Sequence, residues 1–374
     1  KAASHSSIHV CGIVIEALPV LIMPESDLSI RLLPVLQSKA IVPFSLVGLS
    51  QSAGGQGDCG VDFHEFENFR EHILSEALVA CYKSSRVYFL ESCATAIEEF
   101  CNAAPTPHIP FQLEAALFCV GSVAMDASKR ALLVNATPAA QAAAAKASSL
   151  RRGENTNIDI AEDSKCHNEQ LVRCTESLAK NPTSATSNPF SLAQMCRFIG
   201  KYANFYSKSP TPGLLDKGAE LSLNSFNLAF STFLDEKASG FMDEMSISPF
   251  AEAATALRNI LSRSPAHFAK PQALSVLGSG WEKLYSSAGS TERINIEDRE
   301  AICSGICRVL AALPPDQWST SVSALARPTI ECLEIVTKKA DDALIATRRA
   351  TSSSDDFATL MSVLTRMANE IRLL

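Results

Sequence analysis

Cys303 and Cys307 lie one helical turn apart in a chain of 374 residues. Two thiols at that spacing share a helix face and could take part in metal or redox chemistry. Leu310 extends the same face, so the competing reading is a pair of small buried hydrophobes. Cys59, His64, His72 and Cys81 could in principle surround zinc. Their spacing fits no tight ligand pattern, and neither histidine has a second one four residues on, as a zinc-protease helix requires. Gly54, Gly55, Gly57 and Gly60 could suggest a phosphate-cradling loop, but no Gly-Lys-Ser/Thr follows and no strand leads in. The adjacent acids Glu98 and Glu99 fall on the polar side of a helical pattern. No Gly-x-Ser-x-Gly elbow and no nucleophile–base set is present. The sequence therefore predicts no catalytic residue, no metal ligand set and no cofactor, and an enzyme ranks behind a binding protein.

The elements that would position such residues are helices. Phe89, Cys93, Ala96, Ile97 and Phe100 recur at helical spacing, as do Leu192, Met195, Ile199, Tyr202 and Tyr206. Leu274, Leu277, Trp281 and Leu284 form a third such set, and Phe357, Leu360, Leu364, Ala368 and Ile371 a last one. Strand-like alternation is absent beyond the first fifty residues. Asp62 with Glu65 has the form of a capping box, and Pro110 opens the apolar run "PFQLEAALFCVGSVA", in which Glu114 is the one charged residue. The spacing predicts an all-α chain.

Pro210, Pro265 and Pro314 recur roughly 50 residues apart with two helices between them, the period of a HEAT/armadillo-type α-α superhelical solenoid. The predicted pairs are 62–83 with 86–102, 110–126 with 168–180, 189–207 with 213–236, 248–263 with 267–286, and 294–313 with 316–345. Residues 355–373 would open a further pair. The solenoid would occupy residues 61–374, interrupted by a flexible insertion at about 139–166 that joins an alanine-rich run to a charged one. Residues 1–60 would be a separate N-terminal segment ending in a Gly/Ser linker.

Composition narrows the function. Hydrophobic residues make up 47% of the chain, enough for a core, and the net charge is −7. That balance argues against direct nucleic-acid binding, which needs a basic surface. The twelve cysteines sit largely within helical apolar runs, which suits free thiols in a reducing compartment. The most apolar run, "IHVCGIVIEALPVLIM", carries Glu16 and Pro19 and is too short to span a bilayer. A buried helix or strand is the expectation there, with no membrane insertion.

Several segments resemble the importin-β (β-karyopherin) family, in its transportin-SR and importin-thirteen branch. "DFHEFENFREHILSEALVACY" is similar to that branch's Asp-Phe-x-x-Phe-Arg-rich helix, and "FLESCATAIEEFCNA" to the helix after it. In "PFQLEAALFCVGSVA", Phe111 stands near the usual tryptophan and Glu114–Ala115 at the Glu-Ala position. "EAATALRNILSRSPAHFAKPQALSVL", "REAICSGICRVLAALPPDQW" and "DDFATLMSVLTRMANEI" resemble later segments in the same order, so the likeness runs from about Asp62 to Ile371.

The resemblance implies a nuclear transport receptor that shuttles between cytoplasm and nucleus. Such a receptor binds protein cargo on the solenoid, contacts nucleoporins, and releases import cargo under Ran-GTP. In this branch the cargo is basic, often Arg/Ser-rich, and Glu331, Glu334, Asp341 and Asp342 are the candidate cargo-binding residues. The plainer reading is that they are ordinary solvated positions. The family's chains are much longer, so this one would be a central portion, with the Ran-contacting repeats outside it. The rival is a HEAT-repeat scaffold or adaptor without Ran dependence.

Overall fold

A computed structural model describes residues 7–22, 26–43, 46, 62–143, 146, 160–234, 248–286, 294–349 and 354–373. The Gly/Ser linker and most of the predicted insertion, residues 147–159, lie outside these residues, whereas 160–166, expected to be flexible, are helical. The chain is all-α, and no strand occurs among the described residues. It divides into two compact units, residues 1–256 and 257–374.

The first unit opens with α1 (Ile8–Ile22) and α2 (Ser26–Ala40), each with a proline inside, Pro19 and Pro34. Both pack on α4 (Ser75–Asn102). The run that sequence left as helix or strand is therefore helix. Asp62 caps α3 (Phe63–Asn68) in the predicted reciprocal fashion. The Glu65 amide donates to Asp62 Oδ1 at 2.8 Å, and the Asp62 amide to Glu65 Oε2 at 3.3 Å. A π turn, Phe69–Leu74, joins α3 to α4 and carries Phe69, Arg70 and Leu74 inward. The break expected between 83 and 86 is a kink inside one helix: Ser85 has φ −133° and ψ 48°. No proline or glycine stops the helix there, and the Ser85 hydroxyl bonds the Cys81 carbonyl one turn back at 3.1 Å, a contact that bends helices without ending them.

α5 (Ile109–Ser122) starts at its proline as predicted and is buried almost all round, from Phe111 to Gly121. That is the behaviour of a helix apolar on every face. α6 (Ala124–Ala131) follows. α7 (Ile160–Lys180) begins eight residues earlier than the predicted 168–180 and packs on α4 and α6, not as the partner of α5. Short α8 (Pro182–Thr186) leads to α9 (Pro189–Lys201), which lies against α5. α10 (Ala203–Lys208) and α11 (Leu214–Leu234) complete the aromatic core of this unit. Gly218 on α11 lets the Tyr206 ring approach: an added Cβ would sit 2.9 Å from it. The division between the units falls inside α12 (Pro249–Arg263).

The second unit holds α13 (Pro265–Phe268), α14 (Pro271–Ser286), α15 (Ile296–Leu310), α16 (Pro315–Arg349) and α17 (Ser354–Leu373). α16 packs chiefly along α17, and also on α14. The helix expected to open a further pair is thus the main partner of the one before it. Trp281, Leu284, Ile302, Val309 and Val336 are buried here, and the Trp281 indole donates to the Leu325 carbonyl at 3.0 Å.

Candidate functional site

α16 presents all four predicted acids to solvent. Glu331, Glu334, Asp341 and Asp342 are exposed, while Cys332 and Val336 on the opposite side are buried. Glu331, Glu334, Ile335, Lys338, Asp341, Asp342 and Ile345 each lie three or four residues from another member of the set, so they share one broad helix face. At 1.5 Å per residue it is about 21 Å long. Ile335 is 58% and Ile345 45% exposed, and Ile330 at the margin 44%, so the stripe is apolar as well as acidic. Its charge is partly met within the unit. Arg327 lies 3.8 Å from Glu331 and 2.8 Å from Glu282, and Lys338 stands within the stripe.

Buried charge sits elsewhere. In the first unit, Arg70 Nη2 meets Glu114 Oε1 at 2.7 Å, with the side chains 3% and 4% exposed. The guanidinium lies 4.3 Å from the centre of the Phe118 ring and also reaches Glu67 at 3.3 Å. Arg197 continues the cluster, 3.9 Å from Glu67 and 2.8 Å from Glu252. Burial pushes the Glu114 carboxyl up, against the opposing pull of Arg70. In the second unit Arg299 and Glu370 form an equally buried pair. Tyr285 donates to Glu370 at 3.4 Å and accepts from Thr329 at 3.1 Å. Sequence reasoning had marked Glu114 as odd in an apolar run, but nothing in the sequence pointed to Arg70, Arg299 or Glu370 as buried.

A third polar chain joins α4 to α7. His167 Nδ1 lies 2.6 Å from the Asp163 carbonyl, which can only accept. The ring proton is therefore on Nδ1, and Nε2 accepts from the Tyr82 hydroxyl at 2.9 Å. Arg130 holds the Asp163 carboxylate at 2.7 Å. This resembles a proton relay, but His167 is wholly buried. Burial above all pushes its pKa down.

The cysteines divide by environment. All those among the described residues are free, and most are buried. Burial pushes the Cys81, Cys93 and Cys101 thiols up to about 12. Cys307 is exposed and Cys303 half-buried, so the reading of this pair as core gives way: their stripe runs at the edge of α15, while Arg299, Ala301, Ile302, Gly305, Ile306, Val309 and Leu310 are buried. The hydrogen bond from Cys303 brings Cys307 down to about 7 and pushes Cys303 up. His64, His72 and Cys81 do not assemble a site. No group of three or more His, Cys, Asp or Glu side chains able to hold a metal occurs among the described residues. Glu98, expected to be merely solvated, is held by Arg173 of α7. No described helix is long and apolar enough to cross a membrane.

No family model and no curated protein matches the sequence. A crystal structure of an engineered protein from the Northeast Structural Genomics Consortium aligns over 99% of this chain and 97% of its own, at 11% identity. With a TM-score of 0.17, that likeness carries no argument about fold or function.

Proposed function

We propose that this chain is a cargo-binding section of an importin-like nuclear transport receptor, an α-α superhelical solenoid that docks basic protein segments on α16. One observation carries the reading: Glu331, Glu334, Asp341 and Asp342 share an exposed stripe with Ile335 and Ile345. Acids interleaved with apolar side chains complement a segment that is both basic and amphipathic, such as an Arg/Ser-rich region bearing a few apolar residues. The succession of importin-like segments from Asp62 to Ile371 supports the transport role. With it come shuttling between cytoplasm and nucleus, contact with nucleoporins, and Ran-GTP-controlled release.

The test is binding of a fluorescent Arg/Ser-repeat peptide, followed by anisotropy. The wild-type chain should bind, and affinity should fall steeply as salt screens the acids. The variant E331K/E334K/D341K/D342K should lose binding while keeping its melting temperature. Equal binding by the variant would refute the site. Ran-GTP then separates the two uses of such a surface, on a chain extended to its natural ends. Release of peptide marks the receptor. Retained peptide with no Ran contact marks a HEAT-repeat scaffold or adaptor instead.

A further inference from the structure

We propose that Cys303 and Cys307 form a two-thiolate site for a soft, two-coordinate cation of the Cu(I) class. The two sulfurs lie 4.0 Å apart on one edge of α15. Cys307 is exposed and Cys303 half-buried, so an ion can reach both from solvent. They are the only two described cysteines whose sulfurs approach each other within hydrogen-bond range.

The helix decides what the pair can do. A disulfide needs sulfurs about 2.05 Å apart on Cβ atoms about 3.8 Å apart. Residues four apart on a helix hold their Cβ atoms about 5–6 Å apart, so closing the bond would break the helix. A bridging ion needs no such change. With metal–sulfur bonds near the ~2.3 Å of zinc thiolates, a linear ion sets its sulfurs about 4.6 Å apart. Small χ1 rotations of two side chains at the helix edge cover the difference.

Ligand number then selects the ion. Zinc takes four ligands, and the described residues offer no third His, Cys, Asp or Glu to complete a set. Glu300, one turn before Cys303, is already held by Arg372 of α17. Two thiolates and nothing more suit a monovalent ion that prefers sulfur and low coordination, as Cu(I) does. Binding is an exchange of protons for metal: two thiols and Cu(I) give the bis-thiolate complex, each thiol releasing whatever proton it carries. No electron moves. The site is independent of the transport reading, because α15 carries it and α16 carries the stripe.

The test is a titration of the reduced full chain with Cu(I) under anaerobic conditions, against bicinchoninate as a coloured competitor. The wild type should withdraw one equivalent, and copper-edge X-ray absorption should show two sulfur neighbours. Cys303→Ser and Cys307→Ser should each lower affinity by more than the ~10–100-fold that follows loss of an outer-shell partner. A Cys59→Ser/Cys166→Ser variant, which keeps both sulfurs, should titrate like the wild type. Circular dichroism checks that each variant keeps its helix content, and Cys307→Met, which restores a soft donor, should recover part of the affinity. Failure of the wild type to compete with bicinchoninate would overturn the proposal. So would uptake that survives in a Cys303→Ser/Cys307→Ser double variant, or that depends on only one of these two residues.

Discussion

Removing the Glu114 side chain should be among the most damaging single changes in the first unit. Glu114 and Arg70 bury all but a few per cent of their side chains around a 2.7 Å contact, so solvent does little to screen them. Arg70 Nε and Glu114 Oε2 find no hydrogen-bond partner among the described residues, which adds to the desolvation cost. Glu114→Ala leaves the guanidinium buried with only Glu67, at 3.3 Å, as a carboxylate partner and opens a gap beside Arg70. Losing one partner of such a pair costs about 3–5 kcal/mol, whereas replacing both with apolar groups is often neutral or stabilising by about 1–4 kcal/mol. The variants R70M, E114M and R70M/E114M form the cycle, and urea unfolding followed by circular dichroism at 222 nm is the assay. The singles should each lose several kcal/mol and the double should recover most of it. The pH dependence has a definite sign. Burial raises the Glu114 carboxyl above its ordinary 4.5, so the folded chain holds that proton more firmly than the unfolded one. Its contribution to stability is full below 4.5 and is lost as pH rises through the raised range. Glu114→Gln cannot ionise and should flatten that slope. A Glu114→Ala cost below about 1 kcal/mol, or a double variant as unstable as the sum of the singles, would refute the reasoning.

Three further expectations can be checked with the same protein. Gly218→Ala should destabilise by about 1–3 kcal/mol through overpacking against the Tyr206 ring, even though alanine is the better helix former, and urea midpoints would show it. His167 is held below its ordinary 6.5 by burial, with Asp163, Arg130, Arg86 and Tyr82 acting on it or bonded to it. The unfolded chain therefore takes the proton first, and stability present above 6.5 should be lost as pH falls; His167→Gln should weaken that dependence in unfolding curves between pH 5 and 8. Brief treatment with iodoacetamide near neutral pH should label Cys307 ahead of Cys81, Cys93 and Cys101, which peptide mapping would resolve.

What could be read from the sequence was local. The Asp62–Glu65 box and the start of α5 beside its proline depend on neighbours within a turn or two, and each is found. What could not be read was non-local or two-faced. Arg70 and Glu114 are 44 residues apart, and nothing in either segment announces the other. Pro19 and Pro34 obscured α1 and α2, because proline usually marks a boundary, yet both are carried within helices. Cys303 and Cys307 misled because cysteine gives no sign of inside or outside, and the adjoining apolar positions were nearer the core. The exposure of the α16 acids follows from their charge alone, since no helix buries four carboxylates along one side without partners.

The π turn at Phe69–Leu74 also sets which length changes the long rod from Phe63 to Asn102 can absorb. A π turn is one residue more than an α-helix needs. Deleting one residue there would restore the ordinary pitch and leave both flanking segments in phase. The same deletion beyond Leu74 would turn everything between it and the helix end by about 100°, carrying residues such as Phe89, Cys93 and Ile97 out of the core. In related chains, a one-residue gap at this turn would therefore be the mark of an inserted residue rather than of a different fold.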